Sequence, residues 1–364
     1  MVARSIKRKM YYRIVGMSNT PSDKSAPTAY CTPEGVRSRA VSGDHTDLSA
    51  PGAGPVSSRS SVTSTTKGTL RVSRIPPRRI ALCGGGILGI AHAGFLKAME
   101  EEGMLAHVRE YIGISAGALT ALFLVLGYTI KQVEEIATNF QFNTLRNISP
   151  ENILNFPFTF GLDRGELLES FIVSILHQKG LPPDTTFEEL HAKCPIHLRC
   201  FATELQTCRL RQFSTTATPK VLIRFALRAS MSLPFVYTPV QEPGGALLID
   251  GGILNNLPLV FMSPAEVAET VCVFFTHGHC ALEPVTSWGD MLQLVYDSMV
   301  VMKSSPFIKK FQDRVICVTV DPKKCLDFDM PVESKKALIQ HTYELTRKFL
   351  FTPSHKPARR FSAS

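Results

Sequence analysis

Two short apolar segments, Arg79 to Leu82 and Tyr111 to Ile114, each run straight into a glycine-flanked turn and then into a further apolar run. The first enters Gly84-Gly85-Gly86-Ile87-Leu88-Gly89 and a helical stretch reaching about Glu102. There Glu100, Glu101 and Glu102 mark the exposed end and Gly103 stops the helix. The second enters Gly113-Ile114-Ser115-Ala116-Gly117 and a helix from Ala116 to about Leu126. Strand, helix, strand, helix in so short a span restricts the fold severely. Parallel strands cannot be joined by a tight turn and need a crossover helix, so this stretch predicts a parallel α/β unit.

The remaining periodicity extends that reading. Arg164 to Leu176 reads as a helix with Glu166 and Glu169 outward and Leu167, Phe171 and Ile175 inward. Ile196 to Phe201 alternates as a strand, and residues 219–229 form a helix ended by Ser232-Leu233-Pro234. Leu247 to Ile249 is a buried strand delivering Asp250-Gly251-Gly252, expected at the C-terminal edge of a parallel strand. Val271 to Phe275 and Val315 to Val320 supply further core strands, and residues 332–350 a closing amphipathic helix. No internal repeat is visible.

Charge divides the chain. Residues 1–78 hold 13 serines, 8 threonines, 13 basic and 4 acidic residues, so the net +9 of the whole chain resides there and residues 79–364 balance. Such a leader cannot repay its ordering entropy by burial and is expected to be a disordered basic segment. Its first 15 residues mix basic and apolar side chains without an acid, which suits contact with anionic lipid and lacks the apolar core of a secretory signal. The longest apolar stretch, Ala118 to Leu126, is far shorter than the roughly 20 residues that cross a bilayer. Nine cysteines without a C-x-x-C pair argue against a disulfide framework or a thiolate zinc site. An intracellular protein with peripheral membrane association, no metal, no cofactor and no nucleic-acid partner is the expectation.

Three local patterns carry chemistry. The glycine loop between a strand and a helix lets backbone N–H groups face an anion. A dinucleotide site uses similar spacing, but it needs an acid at the end of the second strand, and that strand ends in Gly-Ile-Ser-Ala-Gly. In G-x-S-x-G, Gly113, Ile114, Ala116 and Gly117 surround Ser115 in a strained strand-to-helix turn that exposes its hydroxyl. Asp250, with Gly251 and Gly252, supplies a carboxylate. Acyl transfer requires a nucleophile, a base and oxyanion donors, and these three patterns supply one of each. His277 and His279, after a core strand, are the alternative bases.

Glycine loop, G-I-S-A-G, A-L-R-A-S-x-S-L-P and I-D-G-G together resemble the patatin-like phospholipase family over about Arg79 to Leu259. Asp163 to Phe171 and Phe201-Ala202-Thr203-Glu204-Leu205 add to the match. The resemblance implies a three-layer α/β/α sandwich with a mainly parallel sheet. It divides the chain into a leader (1–78), a catalytic domain (79–262), an extension completing the same fold (263–352) and a basic tail (353–364). It implies a Ser115–Asp250 dyad, with Gly84, Gly85, Gly86 and Gly89 forming the oxyanion hole. Gly85 and Gly86 are its chief donors, and no histidine or metal takes part. The implied activity is that of a lipid acyl hydrolase on a membrane or lipid-droplet surface. Acyl transfer by the same dyad, or a catalytically weak lipid-binding role, are the alternatives. The family's basic residue in the loop is Leu88 here. Phe156 to Phe160 is read as a lipid-facing lip or a core cluster, and Arg224 with Arg228 as a phosphate contact or a solvated face.

Overall fold

The computed structural model describes residues 76–277, 284–321 and 324–352. The leader through residue 75 and the tail from residue 353 lie outside the described residues, and the expectations placed on them stay there.

Among the described residues, ten strands form. They are β1 (Arg79–Leu82), β2 (Glu110–Ile114), β3 (Gly161–Asp163), β4 (His197–Glu204), β5 (Arg209–Ser214), β6 (Phe235–Tyr237), β7 (Val240–Gln241), β8 (Leu247–Asp250), β9 (Thr270–His277) and β10 (Val315–Val320). One sheet takes the order β10-β9-β1-β2-β4-β8-β7, with β5 pairing β4. Its first five strands are parallel, while β8, β7 and β5 are antiparallel to their neighbours. β3 and β6 make a separate two-stranded ladder.

β2 is buried at every position, and in a strand successive side chains face opposite sides. Both faces are therefore covered, which gives the three-layer α/β/α arrangement. The helices His92–Glu101, Ile130–Asn139 and Val332–Phe351 pack together, and Ala116–Val125 lies against β1, β2 and β4. The helix Glu166–Gln178 packs on Ile223–Ser230, which covers β4 and β8. The buried face of Glu166–Gln178 includes Leu168, Phe171, Ile172 and Ile175; Leu167, expected inward, is only half-buried, because the inward stripe runs through Leu168 and leaves Leu167 at its edge.

The end of the sheet remote from the glycine loop holds a chain of ion pairs. Glu110 meets Arg79 at 2.9 Å and Arg199 at 2.8 Å, and Arg199 also reaches Glu266 at 2.8 Å. These tie the strand starts together, leaving the strand ends for the site.

Asp250 does not sit on a parallel strand. β8 runs antiparallel to β4, and β4 explains why this suits the site. On one side, β4 residues 199–204 pair with β5; its other side is shared, residues 197–201 with β2 and 202–204 with β8. β2 therefore ends at Ile114 opposite Phe201, and β8 ends at Asp250 opposite the next residue, Ala202. The two strands run head to head along one edge, so their C-terminal residues meet.

Candidate active site

Ser115 follows β2 directly, with φ 53° and ψ −123°, a backbone conformation that non-glycine residues avoid. Strain of this kind persists where the surroundings over-determine it. Ser115 N–H donates to Ser230 Oγ at 3.0 Å, and Ser230 is fully buried. Gly113, Ile114 and Gly117 are buried against this turn. The helix Ala116–Val125 starts immediately, so the N–H groups of Ala116 and Gly117 have no intrahelical acceptor.

The Ser115 hydroxyl lies beside the Asp250 carboxylate, close enough to lower its affinity for a proton. Asp250 is 1% exposed and accepts from Gly252 N–H at 2.8 Å. Its backbone is held at both ends: its N–H donates to Ser232 O at 2.9 Å, and its carbonyl accepts from Thr203 Oγ1 at 3.0 Å. Burial pushes the Asp250 carboxyl up to about 6, against the lowering effect of the Ser115 hydroxyl and the Gly252 N–H. A carboxylate with that affinity for a proton, beside a hydroxyl, is a competent base near neutral pH.

The four loop glycines do different things. Gly84 N–H donates to Asn256 Oδ1 at 2.8 Å, and Asn256 Nδ2 donates back to Gly84 O at 3.1 Å. The Gly84 amide is therefore occupied and is not an oxyanion donor. At Gly89 a Cβ would lie 2.6 Å from the Ala116 Cβ, so this glycine serves the close approach of loop and helix. Gly86 has φ 54°, and a Cβ would lie 2.3 Å from Cys325 O. Among the described residues, no protein acceptor meets the N–H of Gly85 or Gly86. Those two amides remain, beside the helix N-terminus at Ala116.

Asn256 escaped the sequence reading, which held Ser230 and Ser232 only as parts of A-L-R-A-S-x-S-L-P, without a role. The available signal was a polar side chain placed within an apolar run, since such residues bury only when hydrogen-bonded. Asn256→Ala is expected to cost about 1–3 kcal/mol, because both polar groups of the Gly84 peptide lose their partner in a buried place. Denaturant unfolding should report that loss, and ester hydrolysis should fall with it.

Ser115 and Asp250 open onto an apolar cleft of about 700 Å³, part of it open to solvent. Leu119, Leu145, Leu168, Met231, Leu233 and Val236 form much of its wall, and among the described residues no Lys or Arg lines it. Tyr296 also lines it, its hydroxyl 2.8 Å from where a Cβ on Gly252 would sit; burial and then the Asp250 charge push its phenol up. Leu88 is 3% exposed and packs in the core, so the loop carries no positive charge.

Several other expectations change. Arg228 is neither solvated nor phosphate-facing. It is 4% exposed and donates to Ser232 Oγ at 2.5 Å, Arg164 O at 2.9 Å and Thr238 O at 3.1 Å. It thereby braces the turn whose Ser232 carbonyl holds Asp250. Arg224 pairs with Glu169 and with Asp184. The side chain of His277, and all of His279, lie outside the described residues. Among the described histidines, none lines the cleft. His92, upstream of the region searched from sequence, is fully buried behind the loop, stacked on Phe275 with Nδ1 3.3 Å from Thr120 Oγ1; burial lowers it to about 3 and keeps it neutral.

Residues 80–262, half of the chain, match the sequence model of the patatin-like phospholipase family. The chain is 26% identical over 280 residues to the uncharacterized protein R571 of Acanthamoeba polyphaga mimivirus, covering 74% of this chain and 92% of that one. It is 23% identical over 184 residues to the probable lipid hydrolase 463L of invertebrate iridescent virus 6, covering 50% of this chain and 62% of the relative. Among solved structures, VipD from Legionella pneumophila aligns with a TM-score of 0.48 at 17% identity, covering 76% of this chain and 67% of VipD.

Proposed function

The chain belongs to the patatin-like phospholipase family, and from that premise we propose that it is a lipid acyl hydrolase, with Ser115 as nucleophile and Asp250 as base. One observation carries the reading: the Ser115 hydroxyl lies beside a buried carboxylate at the wall of an apolar cleft. The probable lipid hydrolase among the relatives supports the same class.

In the proposed reaction Asp250 takes the Ser115 proton as Oγ bonds to the ester carbonyl carbon. The carbonyl π electrons move to oxygen, and the Gly85 and Gly86 N–H groups donate to the resulting oxyanion, a contribution of about 100- to 1,000-fold in rate. Collapse breaks the bond to the alcohol, which leaves with the proton from Asp250. Asp250 then deprotonates a water that attacks acyl-Ser115, and the freed serine recovers its proton as the fatty acid departs. With an alcohol in place of water, the same steps make a new ester.

The apolar wall suits an acyl chain, and the lack of a lining Lys or Arg among the described residues favours neutral glycerides or lysolipids over a substrate gripped by its phosphate. Leu88 supports a second reading, a lipid-binding protein of low turnover, because a positive charge near the oxyanion is missing. A fluorophosphonate probe separates the two. Hydrolysis predicts covalent labelling that Ser115→Ala eliminates; a folded wild-type protein that stays unlabelled would reject the enzymatic reading.

A further inference from the structure

The helix Pro150–Thr159 buries only Asn152. Leu154 is 78% exposed, Phe158 80%, Ile153 55% and Phe160 56%, and Phe235 joins them at 45%. This is not a frayed segment. Ser149 caps its N-terminus and Asn152 Nδ2 donates to Asn147 O at 2.7 Å. The sequence left Phe156 to Phe160 open between a lip and a core cluster, and burial excludes the core for Phe158 and Phe160.

The backbone adds a second, independent observation. Phe160 has φ 60° and Phe235 φ 68°, both in the left-handed region that bulky side chains disfavour. They are neighbours, since Gly161 pairs with Phe235 in the β3–β6 ladder. Two aromatic rings are thus held in a conformation better suited to glycine or asparagine, and both face water. Their place in the molecule offers a reason. Leu233, Val236 and Tyr237, on either side of Phe235, line the cleft that holds Ser115, as do Phe142 and Leu145 before the helix. Phe235 thus stands between cleft-lining neighbours, and its ring lies 6.4 Å from that of Phe156 in the helix. Glu151 is the only charged residue of the helix, so its attraction to a partner is apolar.

We propose that Ile153, Leu154, Phe158, Phe160 and Phe235 form a prow that inserts into a phospholipid surface and sets the cleft mouth against it. The proposal rests on the hydrolase reading for its purpose, but its test does not. Large apolar side chains at the end of a mostly polar surface partition into the lipid interface by hydrophobic burial, independent of lipid charge.

The test uses the full chain carrying Ser115→Ala, so that lipid stays intact, and flotation with phosphatidylcholine vesicles. Leu154→Ser with Phe158→Ser is expected to weaken partitioning about tenfold or more, and raising salt to about 1 M should not weaken the parent. With Ser115 present, the double variant should hydrolyse a soluble short-chain ester at the parent rate. Unchanged flotation of the double variant overturns the proposal. So does a parent that ignores vesicles but forms a dimer which the double variant dissolves, for then a second copy covers the surface. Phe160→Asn is the companion variant: weaker flotation with no loss of thermal midpoint is expected. A lower midpoint with full flotation would reassign Phe160 to packing. Failure of the hydrolase reading would show instead as a parent inert toward the soluble ester, whatever the vesicles report.

Discussion

Ser115→Ala is expected to lower ester hydrolysis by on the order of 10⁴- to 10⁶-fold while the protein stays folded, because it removes the proposed nucleophile of the acyl-enzyme route. Fatty-acid release from an acyl ester measures the first effect, and far-UV circular dichroism with thermal unfolding measures the second. The serine also holds a backbone with φ 53° and ψ −123°, so a companion result separates chemistry from strain. Ser115→Gly should be equally inactive and more stable, by about 1–2 kcal/mol, since glycine adopts such a conformation without penalty. A folded Ser115→Ala protein that keeps a tenth of the activity would sink the mechanism.

Asp250→Asn is expected to be inactive by about 10⁴-fold, because an amide accepts a hydrogen bond but cannot take a proton. It should also be more stable than the parent at neutral pH. Asp250 is raised from 3.8 to about 6, so the folded state binds a proton that the unfolded state releases between those values. Stability is therefore lost as pH rises through that window. At 1.36 kcal/mol per pH unit the ionised, buried carboxylate costs on the order of 3 kcal/mol at pH 7. Asparagine removes that cost and keeps an oxygen for Gly252 N–H. The gain should therefore be full above about pH 6 and vanish below about pH 4. In the parent, activity should rise to a plateau above pH 6 as Asp250 ionises. Denaturant unfolding across pH, alongside a pH–rate profile, tests both limbs. An Asp250→Asn variant no more stable at pH 7 than at pH 4, relative to its parent, would contradict the buried-charge argument.

The elements around Ser115 were legible because their signals are local. A strand, a glycine turn and an apolar helix are specified by residues a few positions apart, and the backbone strain at Ser115 follows from its neighbours. The helix Ile130–Asn139 carried an equally local signal in its Thr129–Gln132 capping box, and was not read. Other features had no local signal. Gly84 and Asn256 are 172 residues apart, and nothing in either segment announces that the amide of one will be occupied by the other. Arg228 looks like any helical arginine until the packing of Arg164, Ser232 and Thr238 around it is known.

By itself, the amino-acid order determined which chemical groups the chain can bring to a reaction and which short turns display them. It established the α/β class, the seryl turn and the candidate carboxylate. Tertiary structure alone decided that β8 runs antiparallel, that it shares one edge of β4 with β2, and that Ile114 and Asp250 therefore lie opposite adjacent residues. It also decided which two loop amides stay open and that Leu154 and Phe158 face solvent. The reason is physical. Strand order and register are settled by how the whole core packs, through contacts between segments far apart in the chain, whereas propensities and turn chemistry act within a few residues.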